Sequence, residues 1–181
     1  MTRDGFTNYV AAFASVLHAH HSTEDELFFP YARNKSLDAP YENLTAQHQE
    51  MIPLLNKVKT TVEEMKTNDR AVEALKKLNQ VTTTISAIWH PHIRAEEDHF
   101  SAEKLGAVMT VEEQVSLDRR AAEHSQKHAS PDFLVAPFLL YNLPPEYRVL
   151  FAEAIPPIVT QQLVPIVWKE KWASMKPFLL A

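Results

Sequence analysis

Two twelve-residue stretches of this chain carry one pattern. Leu17-His18-Ala19-His20-His21-Ser22-Thr23-Glu24-Asp25-Glu26-Leu27-Phe28 and Trp89-His90-Pro91-His92-Ile93-Arg94-Ala95-Glu96-Glu97-Asp98-His99-Phe100 both read apolar-His-x-His-x-x-x-Glu-acid-acid-x-Phe, at a constant offset of 72 residues. Residues i and i+4 lie on the same face of a helix. His20 with Glu24, and His92 with Glu96, can therefore aim a ring nitrogen and a carboxylate oxygen at one point. Each pair continues an apolar stripe, Phe6, Val10, Phe13 and Leu17 for the first and Leu75, Leu78, Val81, Ile85 and Ile88 for the second. Such a stripe faces a core. Burying carboxylates among hydrophobic side chains costs several kcal/mol unless something compensates, and a metal cation is the economical compensation. Imidazole and carboxylate without sulfur suit iron, manganese or zinc, and two carboxylates on facing helices favour a two-metal centre.

The rest of the chain is expected to be helical too. Two glycines among 181 residues leave few places for hairpin turns, so an all-α fold follows. Asn34 to Pro40 reads as a loop, and Pro40 opens a second helix whose stripe runs Leu44, His48, Met51, Leu55, Val58, Val62 and Met65. Pro53 and Pro91 are positions for bends in the second and third helices, Thr67 to Asp69 for a turn, and Gly106 for a helix end. Thr110 with Glu113 is a capping box starting a helix that reaches about His128. Eight of the twelve prolines lie between Pro131 and Pro177, among apolar clusters. The expected organisation is a helical bundle over residues 1–128 and a proline-rich extension over 129–181, built of short bent helices packing on it.

Several function classes are disfavoured. The formal charge is −5 and the basic residues do not cluster, so nucleic acid is not an expected partner. No run of 18 apolar residues is present, and the N-terminal stretch lacks the features of a secretory signal. Absence of cysteine excludes thiolate metal sites and disulfides and fits a cytoplasmic location.

His48 shares the core-facing stripe and joins His20, Glu24, His92 and Glu96 as an expected metal ligand. Asp25, Glu26, Glu97 and Asp98 read mainly as a solvated face, with room for one of them to orient a histidine. His18, His21, His90 and His99 are neighbours of the site with no role fixed by spacing. His124 and His128 form another i,i+4 pair, read as exposed helix surface.

On His20-His21-x-x-Glu24-Asp25-x-x-Phe28-Phe29-Pro30, Gln47-His48 and His92-x-x-x-Glu96-Glu97-x-x-Phe100, the chain resembles the hemerythrin-like, or HHE cation-binding, family over about residues 6 to 105. The resemblance implies an antiparallel four-helix bundle enclosing a non-haem di-iron site. It also implies binding of dioxygen or a related small molecule, sensing of iron or oxygen, or oxidation of a small molecule. The family's first helix carries one histidine, and a step of 72 residues back from His48 runs off the N-terminus. That helix is expected to be replaced by another element such as residues 110–128, or by a second copy in a homodimer, or else the bundle is a truncated version whose five ligands hold an incomplete or one-metal site. Two further expectations stand beside the iron protein. One is an enzyme whose pocket is walled by the extension, with Phe138 and Trp168 lining it; the other is a metal-free helical interaction module.

Overall fold

The computed structural model describes residues 2–66 and 71–180. Among them there is no strand, and all the regular structure is helical. The turn expected at Thr67 to Asp69 lies outside the described residues.

Helix α1 (Arg3–Thr23) opens with Thr2 as N-cap, whose hydroxyl accepts from the Gly5 amide at 3.3 Å, with Asp4 in the first turn against the positive end of the helix dipole. It is buried on two faces. Val10, Ala14, Leu17 and His21 face α3 (Tyr41–Lys66) and α4 (Ala71–His99), while Ala12 and Ala19 face the C-terminal pieces. Four small residues, Ala12, Ala14, Ser15 and Ala19, let neighbours approach closely on both sides. Phe6, Leu17, Met51, Leu55, Val58, Val62, Leu78, Val81 and Ile85 meet in one aliphatic core. Each fully buried Leu or Met there contributes about 1.5–3 kcal/mol. Leu75, expected on this stripe, is exposed, and Ala74 takes the inward position.

The end of α1 meets the start of α3 at His21 and His48, and the start of α3 meets the end of α4 at His48 and His92, so consecutive long helices run antiparallel. Pro53 and Pro91 lie inside continuous helices rather than ending them.

After Thr23 the chain does not stay α-helical. Glu24–Phe28 is a π-helical turn, in which the Phe29 amide donates to the Glu24 carbonyl, before α2 (Phe29–Asn34) resumes. Turns of this kind accommodate an extra residue and recur at functional sites. Gly106 lies inside α5 (Ala102–Val108) and ends nothing; the earlier break falls at Phe100, where Ser101 caps α5. The capping box at Thr110 and Glu113 is present and opens α6 (Val111–His128).

Helix α6 lies along α1 and the π-helical turn. Ser15 fixes its exit, since the Ser15 hydroxyl donates to the Ser130 carbonyl and accepts from the Ser130 amide, both at 2.9 Å. Next come α7 (Asp132–Asn142), α8 (Pro145–Ala154), a π-helical stretch at Val159–Val167, α9 (Lys169–Trp172) and a 3₁₀ segment at Ala173–Phe178. These pieces pack on α1 through Leu134, Phe138, Leu140, Val164, Trp172 and Met175. The Trp172 indole donates to the Val164 carbonyl at 2.8 Å, so its buried N–H is satisfied. No described helix is long and apolar enough to cross a membrane.

Candidate metal centre

The site sits at the end of the bundle where α1 finishes, α3 begins and α4 finishes. Below it lies the aliphatic core, and above it Phe28, Phe29, Tyr41 and Phe100 form an aromatic cap. Phe29 stacks on the His48 ring with centroids 5.6 Å apart, and Trp89 packs against His20, His21 and His92.

Four of the five residues expected as ligands converge. One ligand atom each from Glu24, His48, His92 and Glu96 lies within 4.8 Å of all the others. His48 Nε2 is 3.1 Å from His92 Nε2 and 3.5 Å from Glu24 Oε2, and His92 Nε2 is 3.2 Å from Glu96 Oε1. The fifth, His20, stands just outside this group, with Nε2 3.3 Å from Glu24 Oε2. The i,i+4 spacing thus brings both His–Glu pairs together as the sequence leads one to expect. Among the described residues, α6 adds no member to this buried group.

Side chains stand behind the outer ring nitrogens. Asp25 Oδ1 lies 3.0 Å from His48 Nδ1 and accepts from the Thr45 hydroxyl at 2.8 Å. Gln47 Oε1 lies 3.0 Å from His92 Nδ1. The Gln47 oxygen is an acceptor, so the His92 ring carries its proton on Nδ1 and turns its Nε2 lone pair inward, while His48 Nδ1 lies near Asp25 without a hydrogen bond. The two Nε2 atoms face each other at 3.1 Å, flanked by two carboxylates, with both rings fully buried. Among the described residues, no Lys or Arg pairs with these carboxylates. His20 Nε2, Glu24 Oε2 and Glu96 Oε1 are buried with no hydrogen-bond donor or acceptor to pair with. Such orphaned groups need an explanation, and convergent imidazoles and carboxylates with held outer nitrogens suit a cation.

Electrostatics agree with that reading. Burial, then the neighbouring Glu96 carboxylate, push the Glu24 carboxyl up to about 10, so without a cation the pair retains a proton. Burial lowers the His20 and His48 imidazoles from their ordinary range, which keeps them neutral and able to ligate.

His21 is the residue that spacing left without a role. It is fully buried, stacks on His48 with centroids 4.2 Å apart, and has both ring nitrogens unpartnered. It forms a second convergent trio with His48 and His92. The available signal was its place four residues after Leu17, on the Val10–Ala14–Leu17 face. Of the other neighbours, His90 Nδ1 bonds the Ser86 carbonyl at 2.7 Å and His99 Nδ1 the Asp38 carbonyl at 3.2 Å, both exposed.

Phe138 packs on the Tyr9 ring with centroids 5.2 Å apart, and Trp168 joins the cluster that covers α1. A cleft of about 670 Å³ opens beside Asp25 and Thr45, lined also by Phe29, Pro30, Arg33 and Tyr41. It reaches the residues behind His48, and its walls come from α2, α3 and the π-helical turn.

A helical bundle that buries convergent imidazoles and carboxylates at one end belongs to the cation-binding class of bundles. The family model of the hemerythrin HHE cation binding domain matches residues 2–103, and the chain is a member of that family. No curated protein and no solved structure matches it.

Proposed function

We propose that this chain is a non-haem iron protein in which His20, Glu24, His48, His92 and Glu96 hold the metal. One observation carries the reading, the convergence of His48 and His92 Nε2, 3.1 Å apart, with Glu24 and Glu96 in a buried group where Glu24 Oε2 and Glu96 Oε1 have no hydrogen-bond partner. Family membership supports a cation there, and a sulfur-free set of imidazoles and carboxylates supports iron. Glu24 Oε2 lies between His20 Nε2 at 3.3 Å and His48 Nε2 at 3.5 Å, which supports two ions sharing Glu24. Iron bound with an open coordination position supplies affinity for dioxygen or a related small molecule, together with redox chemistry. The protein's own part is positional. Asp25 and Gln47 hold the imidazoles of His48 and His92, and the aromatic cap with Trp89 restricts water.

The test is metal analysis of protein purified without chelator, with an absorption spectrum in air. About two irons per chain is the expected result. Less than about a tenth of an equivalent of any transition metal after reconstitution refutes the proposal.

A further inference from the structure

A third group of imidazoles and carboxylate stands apart from the centre. Glu26, in the π-helical turn, is brought by the fold against His124 and His128 on α6, and one ligand atom from each lies within 4.8 Å of the others. The two imidazoles stack one turn apart with centroids 4.4 Å apart and planes within 20°. His124 Nε2 is 3.2 Å from Glu26 Oε2, while the other carboxylate oxygen accepts from the Ser22 hydroxyl at 2.9 Å.

Thr23 stands behind the His124 ring, its hydroxyl 2.8 Å from the Ala19 carbonyl and 3.1 Å from His124 Nδ1. With Nδ1 held there, Nε2 is turned towards the Glu26 carboxylate, and a metal ion at that point uses both stacked rings at once. Around an ion with bond lengths near 2.0–2.1 Å, tetrahedral ligands lie roughly 3.3 Å apart, which the His124–Glu26 separation matches.

We propose that Glu26, His124 and His128 form a second, solvent-facing site for a divalent transition-metal ion of the zinc type. Three protein ligands leave a fourth position to water, and Thr23 holds the His124 ring from behind as outer partners do at metal sites. The ion would clasp α6 onto the five-residue turn Glu24–Phe28, which also carries Glu24, so that one turn joins the buried centre to the outer helix.

Zinc titration of the purified protein, with iron and zinc both quantified after dialysis, tests this. The parent protein is expected to take one more equivalent of Zn²⁺ than the His124→Ala and His128→Ala variants, whose iron content stays at the parent level. The same extra equivalent is expected in a Glu24→Gln/Glu96→Gln background, which separates this site from the buried one. Co²⁺ in place of Zn²⁺ gives a visible absorption band in the parent that both histidine variants lack. Equal zinc uptake by the parent and His128→Ala, the result if His124 and Glu26 are simply hydrogen-bonded, overturns the proposal.

Discussion

Replacing Glu24 by Gln should reverse the order of stability of two proteins according to whether metal is present. In the metal-free protein the Glu24 carboxyl is pushed up to about 10, first by burial and then by Glu96, from a usual 4.5. A carboxyl raised on folding imposes no penalty below 4.5. Above it the unfolded chain releases the proton that the folded chain keeps, so stability falls as pH rises towards 10. Each pH unit costs about 1.4 kcal/mol, and the interval from 4.5 to neutrality makes roughly 3 kcal/mol. Glutamine has the shape of the protonated acid and carries no such penalty. Its amide also offers Glu96 the hydrogen that the retained proton supplied. At pH 7 the metal-free variant should therefore be more stable than the metal-free parent by roughly 3 kcal/mol, or about 6–12 °C in Tm for a chain of this size. With metal the sign changes. Saturation at a thousand times Kd adds about 4.1 kcal/mol to a protein that binds, or about 8–16 °C, which exceeds the deficit of roughly 3 kcal/mol, and the variant lacks the anionic ligand. Circular-dichroism melts of both proteins, in EDTA and in anaerobic Fe²⁺, read the two differences. A metal-free variant no more stable than the parent refutes the assignment of the buried proton to Glu24. A variant that keeps the full metal-induced rise refutes Glu24 as a ligand.

His21 gives a pH test of opposite sign. Burial, then His48 and His20, lower its imidazole to about 2, so its contribution is complete above its usual 6.5 and is lost as pH falls below that value. Metal-free His21→Leu should lose stability less steeply than the parent, by about 1.4 kcal/mol per pH unit below 6.5, in urea titrations at pH 7, 6 and 5; superimposable slopes contradict this. The two glycines should respond oppositely to alanine. A Cβ on Gly5 falls on the Ser174 carbonyl, with its carbon at 2.7 Å, so Gly5→Ala must displace the 3₁₀ segment and cost about 1–3 kcal/mol. At Gly106, inside α5, nothing lies within 4 Å, and Gly106→Ala should add about 0.5–1 kcal/mol. Urea midpoints of the pair check both, and a stabilised Gly5→Ala would show that the C-terminal segment does not press on α1.

What could be read in advance was whatever depends on spacing within one helix. The stripes placed His48 inward, the 72-residue repeat paired His20 with Glu24 and His92 with Glu96, and Thr110 with Glu113 marked a helix start that is present. What could not be read depends on how helices meet. Asp25 looked like one of four acids on a wet face, yet it backs His48 because α3 crosses the π-helical turn at that point. No residue in Glu24–Phe28 announces that turn, since its extra residue is accommodated by packing rather than by propensity. Adjacent histidines 20 and 21 differ by about 100° around a helix, and only the position of α3 decides that His21 is the one stacked on His48.

The same distinction governs the outer cluster. His124 and His128 read as surface because nothing near them in sequence carries a carboxylate on their face, and His128 is indeed exposed. Their partner Glu26 comes from 98 residues away, and it arrives because Ser15 pins the end of α6 to the flank of α1. Thr23 then stands behind His124 Nδ1 at 3.1 Å, as Asp25 and Gln47 stand behind those of His48 and His92 at 3.0 Å. In all three histidines a side chain stands behind Nδ1 while Nε2 meets a carboxylate oxygen within 3.5 Å. That shared arrangement, rather than the number of histidines, sets these three rings apart from His90 and His99, whose Nδ1 atoms bond backbone carbonyls and which belong to no convergent group among the described residues.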